Sequence, residues 1–123
     1  MLRNLKFLTI LIKCDFMMNI PSKFVVGGQD VEVVIQNTID GDKMGEACLW
    51  NGTIKIAEIY KGCLQTESSK FNTFHHELIH LILDTMGEYE LSENERFVNT
   101  FSGFLTEAIR SFKYDGKDSA VGA

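Results

Sequence analysis

Apolar and polar residues follow two different rhythms along this chain, so it divides into a β half and an α half. From Pro21 to Tyr60 the apolar residues come in short runs broken by turn residues. Phe24-Val-Val26 and Val31-Glu-Val-Val-Ile35 flank Gly27-Gly-Gln-Asp30, a Gly-rich connection that predicts a hairpin. Asp40-Gly-Asp-Lys-Met-Gly45 reads as a polar loop. Ala47-Cys-Leu-Trp50 and Thr53-Ile-Lys-Ile-Ala-Glu-Ile59 flank Asn51-Gly52, a strong hairpin signal because a type I′ turn needs positive φ at both central residues. Four short antiparallel strands are expected, with Thr53 to Ile59 at the sheet edge.

Beyond residue 65 the period changes to that of a helix. Thr66, Ser68 or Ser69 can cap a helix running to about Met86, and Gly87 is placed to end it in the left-handed conformation. Ser92 opens a second helix, with Glu95 three residues later completing a capping-box pattern. On that helix Phe97, Phe101, Phe104, Leu105, Ala108 and Phe112 recur at spacings of three and four and form one apolar stripe. The expected class is α+β: a small antiparallel sheet of about four strands, then two packed helices.

Composition narrows the setting. A chain of 123 residues with 45% hydrophobic and 24% charged residues suits one globular domain. The net charge of −5, with no basic cluster, argues against a nucleic-acid partner. Cys14, Cys48 and Cys63 are odd in number and lack a CxxC spacing, which points to reduced thiols and a cytoplasmic setting. Residues 1–17 carry basic charge and the apolar run Phe7 to Ile12, a weak imitation of a leader that Lys13 interrupts. That run is too short to span a membrane. The expected divisions are an N-terminal extension or weak leader (1–17), a working domain (18–114) and a fraying tail (115–123).

The chemistry is concentrated in one place. All three histidines, His75, His76 and His80, lie within six residues. Shuffling this composition yields His-Glu-x-x-His roughly 0.4% of the time, so chance is a poor account of it. Residues four apart on a helix share a face, so the His76 and His80 imidazoles can converge on one ion. Glu77 adjoins them and can take a proton from metal-activated water. Projected at 100° per residue, Lys70, Thr73, His76, Glu77, His80 and Asp84 form a narrow polar strip on a helix otherwise apolar. Such a strip suits the floor of a cleft. His75 projects into the apolar sector and reads as a packed histidine.

A catalytic zinc needs a third protein ligand and an open position. Asp84 lies about 12 Å along the helix from His76, too far to share the ion. Glu95 on the next helix is the favoured third ligand, although a capping box would also want Glu there, and Glu88, Glu90 and Glu93 are fallbacks. Asn99, one turn on, can orient a ligating imidazole through its side-chain oxygen. Tyr60, Tyr89 and Tyr114 are candidate donors to a developing oxyanion, with Tyr89 favoured by its position in the turn.

His76-Glu-Leu-Ile-His80 followed by Asn94-Glu-Arg-Phe-Val-Asn99 resembles the gluzincin metallopeptidases, and also the short ImmA/IrrE-like proteins of phages and mobile elements. The resemblance covers roughly residues 71–106. It implies a minimal zincin-like fold, zinc held by His76, His80 and Glu95, Glu77 as general base, and Asn99 where gluzincins usually carry Asp. The implied activity is zinc-dependent hydrolysis of a peptide or protein substrate, with no nucleic-acid or membrane partner. The alternative is a metal-binding regulatory or partner-binding module with little hydrolytic activity.

Overall fold

The computed structural model describes residues 19–115. The expected extension at 1–17 and most of the expected tail lie outside those residues. Four strands, β1 (Lys23–Val26), β2 (Gln29–Gln36), β3 (Gly45–Cys48) and β4 (Thr53–Ala57), form one sheet in the order β1-β2-β4-β3. A small second sheet pairs β5 (Ile59–Tyr60) with β6 (Cys63–Leu64). Three helices follow: α1 (Glu67–Met86), the single turn α2 (Tyr89–Ser92) and α3 (Glu95–Arg110). The class is α+β, and among the described residues no helix is long and apolar enough to cross a membrane.

The sheet is mixed rather than wholly antiparallel. β1–β2 and β3–β4 are the expected antiparallel pairs, but β2 and β4 run parallel, with Glu32 opposite Thr53 and Gln36 opposite Ala57. Burial explains the order. Ile54, Ile56 and Ala57 of β4 are fully buried, so this strand gains most from a neighbour on each side. The half-buried β3 is left at the edge. Thr53–Ile59 is therefore not the edge strand: Thr53–Ala57 sits inside the sheet, and Ile59 belongs to the second one.

Turn chemistry departs from expectation at one hairpin. Gly27 and Gly28 both have positive φ and form the two-residue connection from β1 to β2. At Asn51-Gly52 only Gly52 has positive φ, and its N–H donates to the Leu49 carbonyl at 3.3 Å. The connection is a four-residue turn, Leu49 to Gly52, not a two-residue type I′ turn.

One face of α1 packs on the sheet. Val31, Ile54, Ile56, Phe74 and Leu81 make the main core, with Ile20, Phe24 and Leu78 against it. Phe24 meets Phe74 edge-on, so β1 lies over that part of the helix. Thr66 caps α1 by accepting from the Ser69 N–H, and Gly87 ends it with φ 82°. Gln65 ties the helix start to the sheet. Its Nε2 donates to the Ala57 and Met44 carbonyls while its Oε1 accepts from Ser69 and Thr73.

Helix α3 runs back along α1, with Arg110 donating to Ser68 near the far end. Ile79 and Leu83 pack on Val98, with Leu91, Phe97 and Leu105 at the margin. The residues that α3 buries are Val98, Ser102 and Thr106, a stripe of small side chains at spacings of four. The phenylalanine stripe instead turns outward, Phe101 and Phe104 being exposed. A further departure concerns the start of α3. Asn94, not Ser92, is the N-cap and accepts from the Phe97 N–H at 3.1 Å. Ser92 closes α2 and is buried.

Candidate metal centre

His76 and His80, one turn apart on α1, point their Nε2 atoms at each other across 3.2 Å. Glu95 is the first residue of α3, and the tight α2 turn brings it back over them. Its two carboxylate oxygens lie 3.4 Å from His76 Nε2 and 3.4 Å from His80 Nε2. All three residues offer ligand atoms within 4.8 Å of one another. Because Asn94 performs the capping, the Glu95 carboxylate is free of the structural duty that a capping box would have given it. Glu93 caps the end of α2 as an exposed residue and is not part of this cluster, nor are Glu88, Glu90 or Asp84.

The donor set fits a tetrahedral ion. Zinc–nitrogen and zinc–oxygen bonds of about 2.0–2.1 Å at tetrahedral angles separate neighbouring ligand atoms by roughly 3.3 Å. The two Nε2 atoms lie 3.2 Å apart and each has one Glu95 oxygen at 3.4 Å, distances near that edge length, although the two imidazoles meet different oxygens of the carboxylate. Three protein ligands would leave the fourth position open.

Each imidazole is also held from behind. The Ser92 hydroxyl lies 3.1 Å from His80 Nδ1. The Asn99 side chain lies near the His76 ring, where it favours the protonated imidazole. Partners of this kind fix ring orientation and leave Nε2 for the ion. Asn99 is read from its spacing to Glu95. Ser92 was missed, because its position before Glu95 signals a cap. Burial lowers the pKa of His76, and the neighbouring His80 lowers it further, so the neutral, ligating form is favoured near neutral pH.

Glu77 occupies the next arc of α1, only 8% exposed. Strand β3 passes directly over it. A Cβ at Gly45 would stand 2.6 Å from Thr73 Cγ2, 2.9 Å from Glu77 Cγ and 3.1 Å from its Oε2, so only glycine lets the strand come this close. Burial raises the Glu77 pKa from 4.5 to about 7, with Glu95 and Glu46 adding to the rise and Lys43 opposing it. A carboxyl poised near neutral pH can both accept and return a proton.

The remaining residues of interest lie elsewhere. His75 is buried against Phe71 and Phe74, and its Nδ1 is 2.8 Å from the Thr106 hydroxyl, which in turn donates to Asn72 Oδ1. It is the packed histidine expected. Lys70 is buried, its Nζ 2.8 Å from Glu58 and 2.9 Å from the exposed Glu67. Tyr89 opens α2 and is exposed, as is Tyr114, while Tyr60 is half-buried with Lys61 above its ring. Among the described residues Cys48 and Cys63 are free thiols. Comparison of the chain with protein-family models, curated proteins and solved structures finds no match.

Proposed function

We propose that the protein is a zinc-dependent metallopeptidase in which His76, His80 and Glu95 hold the ion and Glu77 is the general base. The observation that supports this reading is the convergence of His76 Nε2, His80 Nε2 and the Glu95 carboxylate, whose ligand atoms all lie within 4.8 Å of one another. The gluzincin resemblance in residues 71–106 points the same way.

A bound zinc ion would supply Lewis acidity to a carbonyl oxygen and lower the pKa of water at the open position. The chain's own residues then account for the proton traffic. Glu77 accepts a proton from the attacking water and delivers it to the departing amine, so that a peptide and water become a carboxylate and an amine. Ser92 and Asn99 keep the two imidazoles aimed. Strand β3 pairs with β4 on one side only, and its face at Gly45 packs on Glu77. An extended substrate segment added to the strand's other edge by main-chain hydrogen bonds would bring a scissile bond to the site.

The test is cleavage of a diverse peptide pool by the zinc-loaded protein, read by mass spectrometry, for wild type and Glu77→Gln. The reading predicts cleavage that falls by about 10²- to 10⁴-fold in the variant while zinc is retained. Zinc retained in both proteins with equal turnover would overturn the assignment of Glu77. Zinc with no cleavage by either protein would leave the metal-binding regulatory module in its place.

A further inference from the structure

The phenylalanine stripe of α3 lies away from the metal centre, as the helix angles require. His76 and His80 of α1 meet Glu95 of α3 on one flank of the contact that Ile79 and Leu83 make with Val98. At about 100° per residue, Phe97, Phe101 and Phe104 project from α3 on the side opposite Glu95 and Asn99. On α1, Ile82 and Met86 fall on the other side of Ile79 and Leu83 from the two histidines, and both are exposed. Both helices therefore present apolar side chains on one shared flank. Phe97, Thr100, Phe101, Phe104 and Leu105 line a shallow groove there.

The area of this flank suits a protein interface. Phe101 is 47% exposed, Phe104 68% and Phe112 53%, the last held on the final turn by its N–H to the Ile109 carbonyl. At about 200 Å² per phenylalanine side chain, the three leave roughly 330 Å² in water. A standard interface buries about 800 Å² per partner and is a little over half apolar, so each copy needs roughly 450 Å² of apolar surface. Ile82, Met86 and the half-buried Phe97 and Leu105 extend the patch towards that figure. Aromatic and methionine side chains with no charge among them are the composition of an interface core.

The charge pattern at the margin identifies the partner. Arg96 and Glu107 are exposed and project within about 20° of each other along one margin of the stripe, separated by about 16 Å of helix. A twofold axis midway between them passes beside Phe101, inside the stripe. Two copies of α3 packed antiparallel about that axis set each Arg96 opposite the Glu107 of the other copy, because an isologous interface repeats every contact. The same register sets each Phe104 opposite Thr100, at the groove. The margin is thus complementary to itself.

We propose that this flank is a homodimer interface, in which two copies pair their α3 helices antiparallel through the Phe101–Phe104 stripe. Reciprocal Arg96–Glu107 ion pairs close its margin. Both metal centres lie on the opposite flank and stay open, and pairing needs no metal.

The test is sedimentation of the full chain between about 1 and 100 µM, with circular dichroism to follow the fold. A concentration-dependent dimer is expected. Phe104→Asp, at the most exposed phenylalanine of the stripe, should weaken it by about 100-fold with the circular dichroism unchanged. Arg96→Glu and Glu107→Arg should each weaken it about 10-fold, because each sets like charges opposite one another at both ends of the interface. The two exchanges together should restore it. A chain that stays monomeric at about 100 µM would overturn the proposal, as would a dimer that persists unchanged in Phe104→Asp. A double exchange that pairs no better than either single one would overturn it too, because antiparallel pairing requires the rescue.

Discussion

Replacing Glu77 by Gln in the metal-free protein isolates the electrostatics of the centre from its ligands. Burial, together with Glu95 and Glu46, lifts this carboxyl from 4.5 to about 7. Between those values the folded state holds the proton more tightly than the unfolded chain does. The contribution is therefore fully present below about pH 4.5 and is lost as pH rises through 7. The difference corresponds to about 3 kcal/mol of stability withdrawn once the carboxylate is forced to ionise in place. Glutamine keeps the shape and carries no charge, but its amide needs hydrogen-bond partners, which costs about 1–2 kcal/mol. In chelator, the variant should exceed wild type by about 1–2 kcal/mol at pH 8, a rise in melting temperature of roughly 5–10 °C for a domain this size. At pH 5 the advantage should vanish or reverse. Urea unfolding of both proteins at pH 5, 6.5 and 8 measures this. Stability curves that stay parallel across that range would show that Glu77 is not held near neutrality by burial, and the reasoning would fail.

Two other substitutions probe the supports of the centre. Ser92→Ala should weaken zinc binding by about 10- to 100-fold through the freed His80 ring, and competition with a fluorescent chelator reads it directly. Equal affinity in the variant would reduce Ser92 to packing. Gly45→Ala puts a Cβ 2.6 Å from Thr73 Cγ2, so β3 must lift from α1 at a cost of about 1–3 kcal/mol in urea unfolding. An unchanged midpoint would mean that the strand does not press on the helix as described.

Much of the α half was legible in the residues themselves. Thr66 and Gly87 bound α1 because a side-chain oxygen and a left-handed glycine are what helix ends require. That His76 and His80 face one another was legible because residues four apart on one helix share a face. What escaped depended on partners. Alternation in residues 23–57 announces strands but says nothing about their order, and the order was decided by the greater apolar burial of Ile54 and Ile56. The strand laid over Glu77 is thus β3, identifiable only once Gly45 is seen against Thr73. Helical spacing found the phenylalanine stripe of α3, yet the helix packs through Val98, Ser102 and Thr106. Small side chains allow close approach, and Thr106 bonds to His75 and Asn72. Ser92 and Glu95 fit a capping box in sequence, and Asn94 displaced Ser92 because the α2 turn, ending at Ser92, is followed by a separate helix that starts at Glu95.

The central claim is that His76, His80 and Glu95 form one three-ligand zinc centre. Its most direct test is the zinc content and affinity of the purified full chain, wild type beside Glu95→Ala, by elemental analysis and chelator competition. The account predicts about one zinc per wild-type chain and a lost or much weakened ion in the variant. A wild type that takes up no zinc when it is supplied, or a variant that holds zinc as tightly as wild type, would contradict it.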